Sequence, residues 1–383
     1  MTAKGTSTKD STHKPGSLVS GQATLTATRL FASRFNSGLS DDFYRETFSG
    51  LTVSSIGMGT YLGECDDTED QRYVDVIGSG ISSGLNLVDT AVNYRCQRSE
   101  RSVGRALRKA FESESASRSE VVVCTKGGYI PLEGQPPESR DKYTAYLAAE
   151  YFDHGVMTPA DVIAGGHCLT PRFLSNQIDR SRANLGVTCI DIYYIHNPEQ
   201  QLGILSRSVF LDVMRNAFVE LEAQVKAGKV GTYGCATWNG FRVFPANRNY
   251  LSLSELVSAA VDAGGPDHHF RTIQLPVNLA MTEAVRLPNQ HNGVNNVSLL
   301  DIATKSDISV IASASLMQSQ LTRDLPPAAR TLFPGFETDA QRAIAFVRSL
   351  PVASALVGMR TLAHLDENVG AVRSAASAPV IRS

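Results

Sequence analysis

The sequence predicts a single parallel (β/α)8 barrel, a TIM barrel with long loops on its active face. Three observations predict it. Short β-rich runs alternate with helix-length segments from Leu51 onward, the alternation completes eight times, and polar residues gather where several of the runs end. A β-then-α alternation builds a parallel sheet, and eight units are the number that closes a barrel. A six-stranded doubly wound sheet is the runner-up, and the count disfavours it.

The chain begins with a segment of different character. Residues 1–40 are rich in Ser, Thr and Gly, with Lys4, Lys9, Lys14, Arg29 and Arg34 against one acid, Asp10. That composition predicts a disordered or weakly structured tail, with a short helix around Leu25–Phe35 where apolar residues recur at helical spacing. Part of it fits a targeting segment, yet the opening MTAKGTSTKDSTHKPG has no apolar stripe of the kind such a segment uses. Residues 41–383 are assigned to the barrel.

The strands come in order at Val53–Met58, Leu85–Asp89, Val121–Thr125, Cys189–Ile195, Val230–Gly234, Thr272–Leu275, Ser309–Ala312 and Ala355–Val357. Most are short, β-branched or aromatic, and bounded by Gly or Pro. The helices that follow them are Gln71–Ser83, Glu100–Phe111, Pro171–Leu185, Phe210–Ala227, Ser252–Ala263, Ser298–Ser306, Asp339–Leu350 and Thr361–Val372. Two connections are long. Residues 129–170, broken by Pro131, Pro136, Pro137 and Pro159, form a lid-like insertion with a helix at Tyr143–Phe152, and Pro198–Val209 is a shorter loop. Both follow strands, so both belong to the face where barrel enzymes carry their sites.

Bulk properties remove several classes of function. At 42% hydrophobic and 19% charged residues, with a formal net charge of −2, the chain has material for a large core and no field that would draw nucleic acid or an anionic membrane. No apolar run reaches the ~18 residues of a membrane span. The six cysteines are scattered without a CxxC pair, and several fall in strands, which suits reduced thiols in the cytoplasm. His268-His269 has no third ligand at a metal-site spacing, so no metal is expected. GMGTYLG at Gly57–Gly63 is not a dinucleotide fingerprint, because its last Gly is followed by the acids of ECDDTED and not by a helix start.

The chemistry rests on Asp89, Tyr94, Lys126 and His196, which stand at or just beyond three successive strand ends. Hydride arriving at a carbonyl carbon leaves charge on oxygen, and a proton donor must stand within reach. A free tyrosine, with a pKa of about 10, is too weak an acid at neutral pH by roughly 4 kcal/mol. A lysine ammonium ~4 Å away supplies about that much at an effective dielectric near 20. Asp89 would keep Lys126 charged, and His196 would hydrogen-bond the substrate oxygen. Singly each has a duller explanation as a loop cap, a packing ring or a core histidine; the four in this order point to one pocket. Arg95, Arg98, Glu100 and Arg101 beside them read as an ion-pair network more than as a clamp for an acidic substrate.

These stretches resemble the aldo-keto reductase family. The likeness is carried by SSIGMGTYLG, GLNLVDTAVNYRCQRSERSVGRAL, VVVCTKGG, LGVTCIDIYYIHNPE, GKVGTYGCATWNG, IQLPVNL and ALVGMRTLAHLDENVGA, in family order over residues 51–373. It is similar to a longer bacterial-type branch with an N-terminal extension and a large insertion. The resemblance implies NADPH, with NADH as the second option, bound across the C-terminal face, and reduction of an aldehyde or ketone to an alcohol or the reverse. It implies a catalytic tetrad of Asp89, Tyr94, Lys126 and His196. For the cofactor it implies Gln274 at the nicotinamide carboxamide and Gly59, Thr60 and Tyr61 along the nicotinamide. It further implies Gly358, Met359 and Arg360 at the adenosine phosphate and Glu367 and Asn368 at the adenine edge.

The sequence also departs from the family. Ala236-Thr237 stands where Ser-Asn is usual, and Ser313 where an aromatic ring stacks on nicotinamide. Gly358 and His364 replace cations near the 2′-phosphate, which leaves Arg360 to compensate. The rival function is a regulatory barrel that binds cofactor and turns over little. A lyase or isomerase on the same barrel has no specific support. The expected partner is a small carbonyl substrate, with no nucleic acid and no membrane.

Overall fold

A computed structural model describes residues 17–35 and 38–373. The eight parallel strands are β1 (Ile56–Gly59), β2 (Leu87–Asp89), β3 (Val122–Gly127), β4 (Ile190–His196), β5 (Val230–Ala236), β6 (Phe270–Pro276), β7 (Ser309–Ser313) and β8 (Ser354–Gly358). Each pairs with its neighbours in sequence, and β8 pairs with β1, so the sheet closes into a barrel. Around it lie, among others, Asp67–Ser82, Arg98–Glu112, Pro171–Leu185, Arg207–Lys226, Leu253–Gly264, Leu299–Lys305, Asp339–Arg348 and Leu362–Arg373. These are the eight helices that the sequence predicts, one after each strand.

Alternation along the strands sorts side chains between two cores. Val88, Val123, Tyr193 and Ile195 face outward into the large core between sheet and helices. Leu87, Val122, Cys124, Ile192 and Tyr194 face inward and fill the barrel. The same parity puts Asp89, Lys126 and His196 on the inward side, one step above that filling. A barrel packed with side chains in layers is a floor for a site, not a pore.

The expected strand Val53–Met58 is two elements. Thr52–Ser54 pairs antiparallel with Tyr44–Glu46, and only Ile56–Gly59 joins the barrel. The break is at Ser55, whose N–H donates to the Phe43 carbonyl at 2.7 Å while the Ser54 hydroxyl donates to the Ile56 carbonyl at 2.8 Å. Leu51 and Val53 join the filling of the barrel from this hairpin.

The expected tail is corrected over its described part. The helix Leu25–Phe35 forms where its spacing predicts, but it is docked and not weakly structured. Phe31 is fully buried in the main core, the Ala23 N–H donates to Asp191 Oδ1 at 2.6 Å, and Arg34 pairs with Glu120 at 2.6 Å. Composition underrated this segment because two or three well-placed apolar side chains suffice to dock a short helix. Residues 1–16, including the stretch weighed as a targeting segment, lie outside the described residues.

The insertion at 129–170 packs Ile130, Leu147, Tyr151, Met157 and Cys168 into a small core of their own, closed by Phe173 of the following helix. Its helix runs Arg140–Leu147 and continues as a wider turn over Ala148–Phe152. Among the described residues no helix is long and apolar enough to cross a membrane.

Candidate active site

A cavity of ≈ 460 Å³ opens at the C-terminal ends of the strands. Asp89, Tyr94 and His196 line it together with Gly59, Thr60, Tyr61, Gln274 and Gly358. Lys126 lies immediately behind, 1% exposed. The strand register explains the convergence, because Gly59 is level with Asp89, and His196, Ala236 and Gln274 stand level across three strands.

Asp89 and Lys126 form a buried ion pair. The ammonium donates a second hydrogen bond to the Thr90 carbonyl at 2.8 Å, and the Gln274 amide donates to Asp89 Oδ2 at 2.8 Å. Lys126 Nζ lies 5.0 Å from the centre of the Tyr94 ring. Burial works against the ammonium, but the Asp89 carboxylate and the Tyr94 oxygen outweigh it and hold its pKa above the ordinary lysine value.

Tyr94 is held between rings. Tyr61 meets it edge-on at 5.1 Å and His196 at 5.8 Å. Burial raises its phenol above the usual tyrosine pKa, and Lys126 pulls the other way without cancelling that. The simple charge arithmetic from sequence, which brings the phenol toward neutrality, therefore omits the larger effect: a phenolate loses its water on burial. Tyr94 is protonated throughout the neutral range.

His196 is neutral. Burial, the Lys126 charge and His167 together push its pKa well below 6.5. Its Nδ1 is buried with no partner among the described residues, so Nε2 is the nitrogen left to hydrogen-bond a ligand. His167 supports it from behind: its Nε2–H donates to the His196 carbonyl at 2.8 Å, and its Nδ1 accepts from the Gln201 amide at 3.2 Å.

The residues that the resemblance assigns to the cofactor divide. Thr60 is fixed through its hydroxyl to the Asp89 carbonyl at 3.2 Å and through its own carbonyl to Ser99 at 2.9 Å. Buried and unpartnered among the described residues, Asn93 Oδ1 and Thr237 Oγ1 belong to side chains in the cavity wall. They are polar capacity of the kind a carboxamide would satisfy, so the nicotinamide end fits such a cofactor. The adenosine end fits less well. Met359 is 2% exposed and packed in the core, and it does not line this cavity. Arg360 is not free for a phosphate: it holds Glu69 through two hydrogen bonds of 2.6 Å. Glu367 is half-buried and Asn368 buried on the last helix, and neither reaches this cavity.

Sequence reasoning passed over Tyr129 and Asn197. Tyr129 lines the cavity from the insertion, its ring 5.0 Å from both His167 and His196, and accepts a hydrogen bond from Asn197 at 3.1 Å. The one available signal was position, since Asn197 directly follows His196 and Tyr129 comes two residues after the strand that ends just past Lys126. Trp238 lines the cavity too, and Glu199 fixes its loop by accepting the Trp238 and Asn239 N–H groups at 2.7 and 3.0 Å. Three members of the arginine cluster form ion pairs, Arg95 and Arg98 with Asp70 and Arg101 with Glu133, but among the described residues Glu100 does not: it is buried and accepts from Thr125 at 2.6 Å and Asn184 at 2.8 Å.

Residues 55–263 match the family model described as the aldo/keto reductase family. The chain is 24% identical over 345 residues to L-galactose dehydrogenase of Arabidopsis thaliana, which spans 85% of this chain and 86% of that protein. An aldo-keto reductase from Bacillus halodurans superposes with a TM-score of 0.57 at 17% identity, over 86% of this chain and 90% of its own. An aldo/keto reductase from Klebsiella pneumoniae, in complex with NADP and acetate, gives 0.56 at 19% identity, over 86% and 89%.

Proposed function

The chain belongs to the aldo/keto reductase family and is an NAD(P)H-dependent oxidoreductase of small carbonyl compounds, and from that premise we propose that Tyr94 is its proton donor. The observation that carries this is the ammonium of Lys126, paired with Asp89 and 5.0 Å from the Tyr94 ring, under a cavity that His196 also lines.

When bound, the reduced nicotinamide supplies the hydride. Tyr94 donates the proton to the carbonyl oxygen, and its burial-raised pKa keeps that proton in place until charge develops there. The Lys126 ammonium offsets the phenolate charge as the proton leaves. Asp89 keeps the ammonium charged and fixed, with Gln274 holding the second carboxylate oxygen. His196 Nε2 orients the substrate oxygen, and Thr237 and Asn93 would hold the carboxamide of the bound cofactor. Tyr129 and Trp238 form the outer wall, which points to a substrate with some apolar or ring surface. Free thiols at all six cysteines support the cytoplasm as its place.

Fluorescence titration with NADPH and NADH, followed by a panel of aldehydes and ketones, tests the reading. Cofactor-dependent reduction is expected. Tight cofactor binding with no turnover of any carbonyl would overturn it.

A further inference from the structure

Two of the six cysteines stand together beside the active site. Cys65 lies in the loop after β1, four residues beyond Tyr61, and Cys96 lies two residues beyond Tyr94. Backbone contacts hold their segments side by side. The Arg95 guanidinium donates to the carbonyls on either side of Cys65, to Glu64 at 2.8 Å and to Asp66 at 3.4 Å. Two adjacent residues of the insertion hold the two cysteine carbonyls: the Gly134 N–H donates to Cys96 at 3.0 Å, and the Gln135 side-chain amide donates to Cys65. The two thiols lie close enough for Cys65 to act on the Cys96 thiol electrostatically.

The pair is asymmetric. Cys65 is half-exposed and Cys96 is 7% exposed. Burial first, and then the neighbouring Cys65, push the Cys96 thiol up to about 12. An oxidant from solvent therefore meets Cys65, with Cys96 waiting behind it as a protonated second thiol.

We propose that Cys65 and Cys96 form a reversible disulfide under a two-electron oxidant, a peroxide or a low-molecular-weight disulfide, and that the bond detunes the active site. The effect on turnover rests on the reductase reading; the bond itself does not. With peroxide, the Cys65 thiolate attacks one oxygen, the O–O bond breaks, and Cys65 becomes a sulfenic acid as water leaves. The Cys96 sulfur then attacks the Cys65 sulfur, the S–OH bond breaks, and the hydroxide departs as water with the Cys96 proton. Two thiols and one peroxide give one disulfide and two waters. With a small disulfide as oxidant, two small thiols leave instead.

The consequence for the site follows from which segments are joined. Closing a bond of ~2.05 Å between the two sulfurs joins the loops and fixes their spacing. These are the loops that carry Tyr61 and Tyr94, whose rings touch at 5.1 Å. The turn directly after Tyr94 has no slack, since Arg95, Cys96 and Gln97 are all left-handed at φ 48, 53 and 71°. A displacement of about 1 Å in a catalytic group can cost on the order of 100-fold in rate.

The test uses the full chain loaded with NADPH. After treatment with hydrogen peroxide or glutathione disulfide, unreduced peptide mapping should find Cys65 joined to Cys96. Carbonyl turnover should fall at least about tenfold and return with dithiothreitol. Cys65→Ser, at a half-exposed position, should fold and keep its turnover under the same treatment, and Cys96→Ala should behave alike. Cys65 ending as sulfinic acid or as a mixed disulfide without the cross-link would overturn the proposal. So would a cross-linked protein with unchanged turnover, or a Cys65→Ser protein inactivated like the wild type. The cross-link is read by mass and cofactor affinity by fluorescence, so failure of the reductase reading would show separately as absent turnover before any oxidation.

Discussion

Arg360 and Glu69 close on each other through two parallel hydrogen bonds of 2.6 Å, Nε to Oε1 and Nη2 to Oε2. The Glu69 side chain is 2% exposed, and a side chain at Gly63 would stand 2.5 Å from its Cγ. The cation that the sequence leaves to compensate at the 2′-phosphate is thus already engaged by a buried acid. Glu69→Gln should release it. NADPH affinity should rise about tenfold, the worth of one charge-assisted hydrogen bond, while NADH stays within two- to threefold. In the wild type, Arg360→Ala should change neither by more than a few-fold. Titrating both cofactors into the three proteins checks this, and a selective loss of NADPH in Arg360→Ala would show that the phosphate wins Arg360 from Glu69.

Tyr94→Phe should melt like the wild type, bind cofactor normally and lose about 10²–10⁴-fold in kcat. Because burial holds the phenol above its ordinary pKa, reduction by the wild type should not decline from loss of this proton anywhere between pH 6 and 9. Lys126→Met should differ from it in stability. It strands the Asp89 carboxylate with Gln274 as its remaining side-chain donor, at a cost of about 3–5 kcal/mol. Adding Asp89→Asn should recover much of that Tm without recovering turnover. Equal melting temperatures for Lys126→Met and Tyr94→Phe would contradict the buried pair.

His167 links pH to stability. Burial lowers its pKa to about 4 from 6.5, so the folded protein holds it neutral where the unfolded chain takes up a proton. Its contribution is present in full above pH 6.5 and lost as pH falls toward 4, to a total of about 3 kcal/mol. His196 is shifted in the same direction and adds to the slope. Melting curves from pH 8 to 4 should therefore fall more steeply for the wild type than for His167→Asn. Parallel curves would count against it.

Phe31 tests the docked N-terminal helix. The side chain is fully buried, and Phe31→Ala should cost about 3–5 kcal/mol, read as a lower midpoint in urea with active-site function retained at low temperature. A protein starting at Asp41 should melt lower still, since it also loses Ala23 on Asp191 and Arg34 on Glu120. Cooperative melting at the wild-type temperature in that truncated protein would restore the reading of residues 1–40 as a disordered or weakly structured tail.

What the sequence determined by itself was everything set by short-range periodicity. Two-residue alternation put Asp89, Lys126 and His196 on one side of their strands, and the count of eight units closed the sheet that brings them together. Even the helix Leu25–Phe35 was legible in its spacing. What it lay against was not, nor was the hairpin that turns Thr52–Ser54 out of the barrel wall. Tertiary structure alone decided the charges. Arg360 meets Glu69 across 291 positions, and Tyr94 is raised and not lowered because enclosure outweighs one ammonium. Periodicity is written in neighbouring residues, whereas pairing and desolvation depend on which distant segments arrive at the same place and how completely they exclude water.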